Sequence, residues 1–322
     1  MSTIPEDEPL EGPAGELHVP EQTPHEFAAP EPGGLSMPEP PLFQNVLEVD
    51  VRPPARIPHL GNLVLVLALF GIGLTVAWAL ILIALHFKLY GISTIQGTLT
   101  DIHYSLGSEL ISYLVTFAGC LFFFPMFWHK GFFAGIQWNG ATALRLWWRL
   151  GLVALVCFSM AILNMLLVPG PSKTPIEEIF REPGAAWLLF AFGISFAPFF
   201  EEIFFRGFLL PSLCTACDWV AEKLNHVPRR PLGENGHPQW SISAMAIAAI
   251  LTSVPFAWVH AAQTGYSLGP FVLLVGVSLV LCTVRLYTRS LASSVLVHIC
   301  YNFLIFTVTL VFTGGFRHLE KL

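Results

Sequence analysis

The stretch PFFEEIFFRG, Pro198–Gly207, sets two glutamates and an arginine at the end of a run, AAWLLFAFGISFAPF, that carries no charge. An ionisable group inside an apolar span costs about 2.5–3.5 kcal/mol on insertion scales, so such groups are expected to be paired or functional. On a helix Glu202 and Arg206 stand four residues apart on one face, acid N-terminal to base, which is the favourable order for an ion pair. Glu201 points about 100° away from Glu202, and one arginine cannot serve both carboxylates equally well. One glutamate is therefore expected to be held, and the other to be free to accept a proton.

Two later constellations add polar groups on other apolar spans. PFAWVH places Phe256 and His260 on one helical face, and HICYN places His298 and Asn302 one turn apart. An imidazole and an amide on one face can aim two donors at one oxygen. Taken singly, a histidine at a span end reads as an interfacial or hydrogen-bonded residue and an asparagine as glue between helices. Taken together on three separate spans, with the glutamates and the arginine, they are much harder to explain as packing.

The elements that must position these residues are membrane helices. Of the 322 residues 54% are hydrophobic and 12% charged, against roughly a quarter charged in soluble proteins. About twenty apolar residues cross a bilayer, and seven segments qualify: 60–86, 107–128, 146–168, 185–210, 242–262, 269–288 and 290–313. The expected fold class is all-α, a polytopic bundle of about seven spans. The segment between His129 and Arg149 adds an expected interfacial amphipathic helix lying on the membrane surface before the third span.

The domain boundaries follow from composition. Residues 1–57 read as a disordered, acidic, Pro-rich cytoplasmic tail, with eleven Asp or Glu and no Lys or Arg in the first fifty positions. Residues 58–314 form the transmembrane domain, and 315–322 a short C-terminal tail. Such an acidic start lacks the basic opening of a signal peptide. Arg52, Arg56, Lys130, Arg145, Arg149, Lys223, Arg229, Arg230, Arg285 and Arg289 are all expected on one side, the cytoplasmic one. PSKTPIEEIFREPG, after the third span, carries more acid than base, as the outer face should. Arg317 and Lys321 violate the rule mildly. Most of the six cysteines sit in apolar runs as small hydrophobes, and the CxxC of Cys214 and Cys217 matches no standard zinc finger.

EExxxR (Glu201, Glu202, Arg206), FxxxH (Phe256, His260) and HxxxN (His298, Asn302), in this order on successive late spans, resemble the CPBP family. These are the CAAX-processing and bacteriocin-processing intramembrane glutamic endopeptidases. The similarity covers roughly residues 140–312, and RSLASSVLVHICYN resembles the family's lead-in to its last motif. The resemblance implies that Glu201 and His260 activate a water, while His298 and Asn302 stabilise the oxyanion. Glu202 and Arg206 would hold the active-site helix, and Phe256 would seat the histidine by packing. It further implies no cofactor or metal, a peptide or protein substrate, lipidated or not, membrane lipid as surroundings, no nucleic acid, and a multi-pass protein of the plasma (inner) membrane with a cytoplasmic N-terminus.

Other chemistries have their own signatures. A serine in a GxSG context, an HExxH motif and paired aspartates within span interiors are all absent from the sequence. Zinc held by Glu201, His260 and His298 stays open as an alternative, as does a non-catalytic scaffold or immunity-type protein. A proton-coupled transporter would call for a two-halved repeat, which the sequence lacks. One difficulty is geometric. Along straight spans, Glu201 and His298 fall in the cytoplasmic half while His260 falls near the outer end of its own helix. Convergence then needs tilt, a bend at Pro255, or a fifth span starting deeper than Ser241.

Overall fold

The computed structural model describes residues 55–168 and 184–317. The acidic tail, most of the loop after the third span and the last five residues lie outside the described residues, and with them the expectations placed there. Every regular element in the described residues is helical, and an isolated antiparallel bridge between Leu232 and Pro238 is the one β feature among them.

In chain order the helices are α1 (Leu60–His86), α2 (Ile95–Thr100), α3 (Ile102–Trp128), α4 (Phe132–Gly135), α5 (Gly140–Arg145), α6 (Trp147–Leu167), α7 (Ala185–Gly193) and α8 (Phe196–Glu202). A π-helical segment, Ile203–Leu209, continues α8 into α9 (Leu210–Leu224). The chain closes with α10 (Ile242–Val259), α11 (Leu268–Thr288) and α12 (Leu291–Phe312). Among the described residues, seven elements are long and apolar enough to span a membrane, Ala185–Leu224 counting as one of 40 residues. Their outward faces carry large apolar side chains such as Val64, Trp147, Leu166 and Trp258. With no water-filled exterior to drive them inward, such faces are at home against lipid.

Short polar side chains start the helices. Asp101 accepts from the backbone N–H of His103 and Tyr104 at 2.9 and 3.2 Å, capping α3. The hydroxyls of Ser241 and Ser290 accept from Ala244 and Ser293 at 3.1 and 3.2 Å, capping α10 and α12. Each cap satisfies an amide that the first turn leaves unpaired. Asp218 then fixes the α10 start, accepting from the Ser241 hydroxyl at 2.6 Å and its amide at 3.0 Å.

Close approach sets the packing of α1 on α3. A Cβ at Gly73 would lie 2.6 Å from the Ser112 carbonyl oxygen, so no larger residue fits there without moving backbone. Below this contact Phe124, Trp128, Phe132 and Phe208 stack with ring centroids 4.5–6.4 Å apart. A second apolar layer joins α6, α11 and α12 through Ala154, Cys157, Leu281, Val297 and Tyr301.

Three sequence expectations need correction. The segment between the second and third spans is not one surface helix but two short ones, α4 and α5, broken where Gln137 takes a φ of 57°. It is docked on the bundle: the Leu291 amide donates to the Gln137 carbonyl at 3.0 Å and the Ser290 hydroxyl to that of Asn139 at 2.8 Å. The fourth span does not end at residue 210 but runs to Leu224, which brings buried Asp218 into that element. Finally, Arg285 is no loop charge. Only 2% exposed, it donates from Nε to the Arg206 carbonyl at 3.2 Å and from Nη2 to that of Ile136 at 3.3 Å.

Candidate active site

Glu202 is wholly buried and fully engaged. Its Oε1 accepts from Arg206 Nη1 at 2.7 Å and lies 3.0 Å from His298 Nδ1, while Oε2 accepts from the Ser294 hydroxyl at 2.7 Å. Arg206, equally buried, also donates from Nη2 to the Ser278 hydroxyl at 2.7 Å, and its guanidinium sits 4.4 Å from the Phe256 ring centroid. A buried ion pair tolerates the membrane interior only when its remaining hydrogen-bonding positions are filled. Serines from α11 and α12 do most of that here.

Glu201, one residue earlier, faces elsewhere, as the rotation of a helix dictates. Its Oε1 lies 3.6 Å from His260 Nε2 and its Oε2 lies 3.8 Å from His298 Nε2. The carboxylate is therefore not isolated, since two imidazoles flank it. Both distances exceed a direct hydrogen bond. His260 caps α10, and its Nδ1 sits 2.8 Å from the Phe256 carbonyl. A carbonyl oxygen only accepts, so Nδ1 carries the proton of that bond and Nε2 is the nitrogen turned to Glu201. His298 is arranged the same way, Nδ1 toward Glu202 and Nε2 toward Glu201.

Phe256 packs among all these groups. Its ring lies 4.9 Å from that of His260, 5.8 Å from that of His298 and 5.1 Å from that of Phe205. Asn302 is placed differently. Its Nδ2 donates to the Gly193 carbonyl at 2.8 Å, at the break between α7 and α8. So the structure gathers Glu201, Glu202, Arg206, Phe256, His260 and His298, and ties Asn302 to the break just upstream of the glutamates.

The straight-span difficulty dissolves in the fourth element. At 1.5 Å per residue, 40 residues would reach about 60 Å, twice the apolar thickness. Glu201 thus lies well inside it, and the chain leaves helical geometry at Ser195 (φ −130°, ψ −81°) before α8 begins. α10 starts at Ile242, no deeper than expected, and Pro255 sits within it.

Glu201 and His260 open on a cavity of about 330 Å³, shared with Glu109 and Tyr113 of α3 and with Gln263. Sequence reasoning passed over Glu109, because starting the second span at residue 107 left that acid at its edge. Helix α3 begins at Ile102, so Glu109 lies two turns inside. An acid in an otherwise apolar run was the available signal. Arg285 was also missed as a site-supporting residue. Its bond to the Arg206 carbonyl falls in the π-helical segment, where the altered backbone spacing lets a side chain take up a carbonyl.

All six cysteines are free. Among the described residues, no group of three or more His, Cys, Asp or Glu side chains is arranged to hold a metal ion. No curated protein and no solved structure matches the chain. Residues 183–304, which carry every motif described above, match the family model described as type II CAAX prenyl endopeptidase Rce1-like. Over these residues the chain is similar to the CAAX-protease (CPBP) family of membrane peptidases, and seven of its described helical elements are long and apolar enough to cross a membrane.

Proposed function

We propose that this protein is an intramembrane endopeptidase in which a water, activated by Glu201 and His260, attacks the scissile carbonyl. One observation carries the proposal: Glu201 Oε1 and Oε2 stand 3.6 and 3.8 Å from two imidazole Nε2 atoms, while the neighbouring Glu202 is consumed by Arg206, His298 and Ser294. Three polar groups at such spacings, the Glu201 carboxylate and the two imidazoles, can all touch one water molecule. Glu201 takes the water's proton as the oxygen attacks, and later returns it to the leaving amine. His298, its Nδ1–H given to Glu202, acts as the imidazolium and so directs an Nε2–H at the tetrahedral oxyanion, joined by an N–H of Asn302. Glu202, Arg206 and Phe256 keep both imidazoles aimed. No metal and no covalent intermediate is required.

The substrate is a peptide or protein segment, lipidated or not, whose apolar part suits a cavity walled largely by aliphatic and aromatic side chains. The family description names a prenyl CAAX endopeptidase, and a prenylated C-terminus fits such walls. Arg56 pairs with Glu222 at 2.6 Å and Lys130 reaches the Gly236 carbonyl at 3.4 Å, so basic loops meet at one end of the bundle. By the positive-inside rule that end, and the N-terminus with it, faces the cytoplasm of a plasma (inner) membrane.

The test is cleavage of a peptide library, prenylated and unmodified, by purified protein in detergent or vesicles, alongside Glu201→Gln, His260→Ala and His298→Ala. Cleavage by wild type and its loss in all three is expected. Equal cleavage by the three variants would overturn the proposal, and a phenotype kept without any cleavage would favour a scaffold.

A further inference from the structure

The cavity beside Glu201 is lined by a second acid, Glu109. Glu109 Oε1 accepts from the Tyr113 hydroxyl at 2.7 Å, and both residues line the cavity. Tyr113 lies four residues further along the same helix, so this bond ties no two helices together and does not serve bundle packing. Among the described residues, no Lys, Arg or His side chain pairs with Glu109. The cavity walls carry two carboxylates and one imidazole, and no Lys or Arg. The rest of the lining is largely apolar and aromatic, with Tyr113 and Phe117 packed against Phe200 at 4.9 and 5.7 Å.

Glu109 is partly withdrawn from water, and His260, the basic side chain that lines the cavity with it, is already set between Glu201 and the Phe256 carbonyl; membrane proteins retain such acids where something pairs with them in function. The missing partner must enter the cavity. A neutral peptide offers Glu109 hydrogen bonds alone. A lysine or arginine side chain offers a charge-assisted bond and can lie against the neighbouring rings, which attract cations.

We propose that Glu109, oriented by Tyr113, makes this cavity select peptides with a cationic side chain close to the scissile bond. The selectivity presupposes the peptidase reading of the Glu201 site. Glu109 binds and selects, with no part in the proton transfers.

The experiment takes a peptide that wild type cleaves and places Lys, Gln or Glu in turn at each of three positions on either side of the cut. At one position or more, wild type should cleave the Lys peptide about tenfold or more faster, in kcat/KM, than the Gln peptide, with the difference mainly in KM. Glu109→Gln should bring that ratio to near one, Tyr113→Phe should lower it in part, and Glu109→Lys should turn the preference toward Glu. A flat wild-type series, which needs no variant to fold, would overturn the proposal. So would a Lys preference left intact in Glu109→Gln, or an equal loss on Lys and Gln peptides, which would make Glu109 a general acid or a structural group. Cleavage that survives in Glu201→Gln would instead strike the underlying peptidase reading.

Discussion

The Nδ1 of His298 lies 3.0 Å from Oε1 of Glu202, the same oxygen that takes a hydrogen bond from Arg206 at 2.7 Å. This one carboxylate oxygen therefore couples an α12 histidine to an arginine of the fourth span, and frees the other face of the imidazole for Glu201. Adjacent glutamates thus stand in opposite situations, one saturated and one facing a cavity.

Opposite mutational signatures follow. Glu201→Gln should lower kcat by about 10²- to 10⁴-fold with little change in thermal stability, because no buried cation depends on it alone. Glu202→Gln leaves the Arg206 guanidinium without its counter-ion and should cost about 3–5 kcal/mol of stability. Thermal melts in detergent, run beside the cleavage assay, separate the two. Equal melting losses for both would contradict the division of labour.

Asn302 tests the oxyanion assignment. One of its amide N–H groups is held by the Gly193 carbonyl, and the second must reach the substrate. Asn302→Ala should then lower kcat by about 10²-fold while KM changes little. If melting temperature falls and kcat does not, Asn302 holds the α7–α8 break and nothing more.

Arg285 offers a comparison with Arg206. Removing Arg206 strands a carboxylate, whereas Arg285→Met strands two carbonyls, those of Arg206 and Ile136, at about 1–3 kcal/mol each. Arg206→Met should therefore be the more destabilising. Arg285→Met should show its larger effect on kcat, through the register of the π-helical segment, and Arg285→Lys should rescue little because one ammonium cannot fork to both carbonyls. Melting curves and kcat for the three variants decide the order.

Metal dependence is open to direct measurement. Because the water is activated by side chains alone in the proposed mechanism, cleavage should persist after EDTA or phenanthroline. Loss of cleavage that zinc restores would recast Glu201, His260 and His298 as its ligands.

Acid should loosen one loop outside the membrane. Burial, with Lys130, Arg285 and Arg289 nearby, holds His237 below its ordinary value. The unfolded chain binds this proton near pH 6.5, and the folded loop binds it only at lower pH. The loop is thus at full stability above about pH 6.5 and loses it as pH falls toward the folded-state value. Hydrogen exchange across residues 225–241, corrected for intrinsic rates, should quicken between about pH 7.5 and about pH 5.5, and His237→Gln should flatten the response. An unchanged rate in wild type would contradict it.

Much was legible in the sequence because its causes are local. Apolar run length marks a span in lipid wherever it occurs, and the described helices start and end within a few residues of the expected limits, except at the start of the second span and the end of the fourth. The i,i+4 bond of Glu202 and Arg206 follows from helical rotation alone, as does the turning away of Glu201. Tertiary contact decided the rest. No local pattern tells that a 40-residue element breaks at Ser195 and passes through a π turn, that the basic Arg285 folds inward onto two carbonyls, or that an acid on α3 meets the late motifs across one cavity. Spacing along a chain sets the face on which a side chain lies, but the distance between helices is set by the close packing of their faces, Gly73 on Ser112 among them.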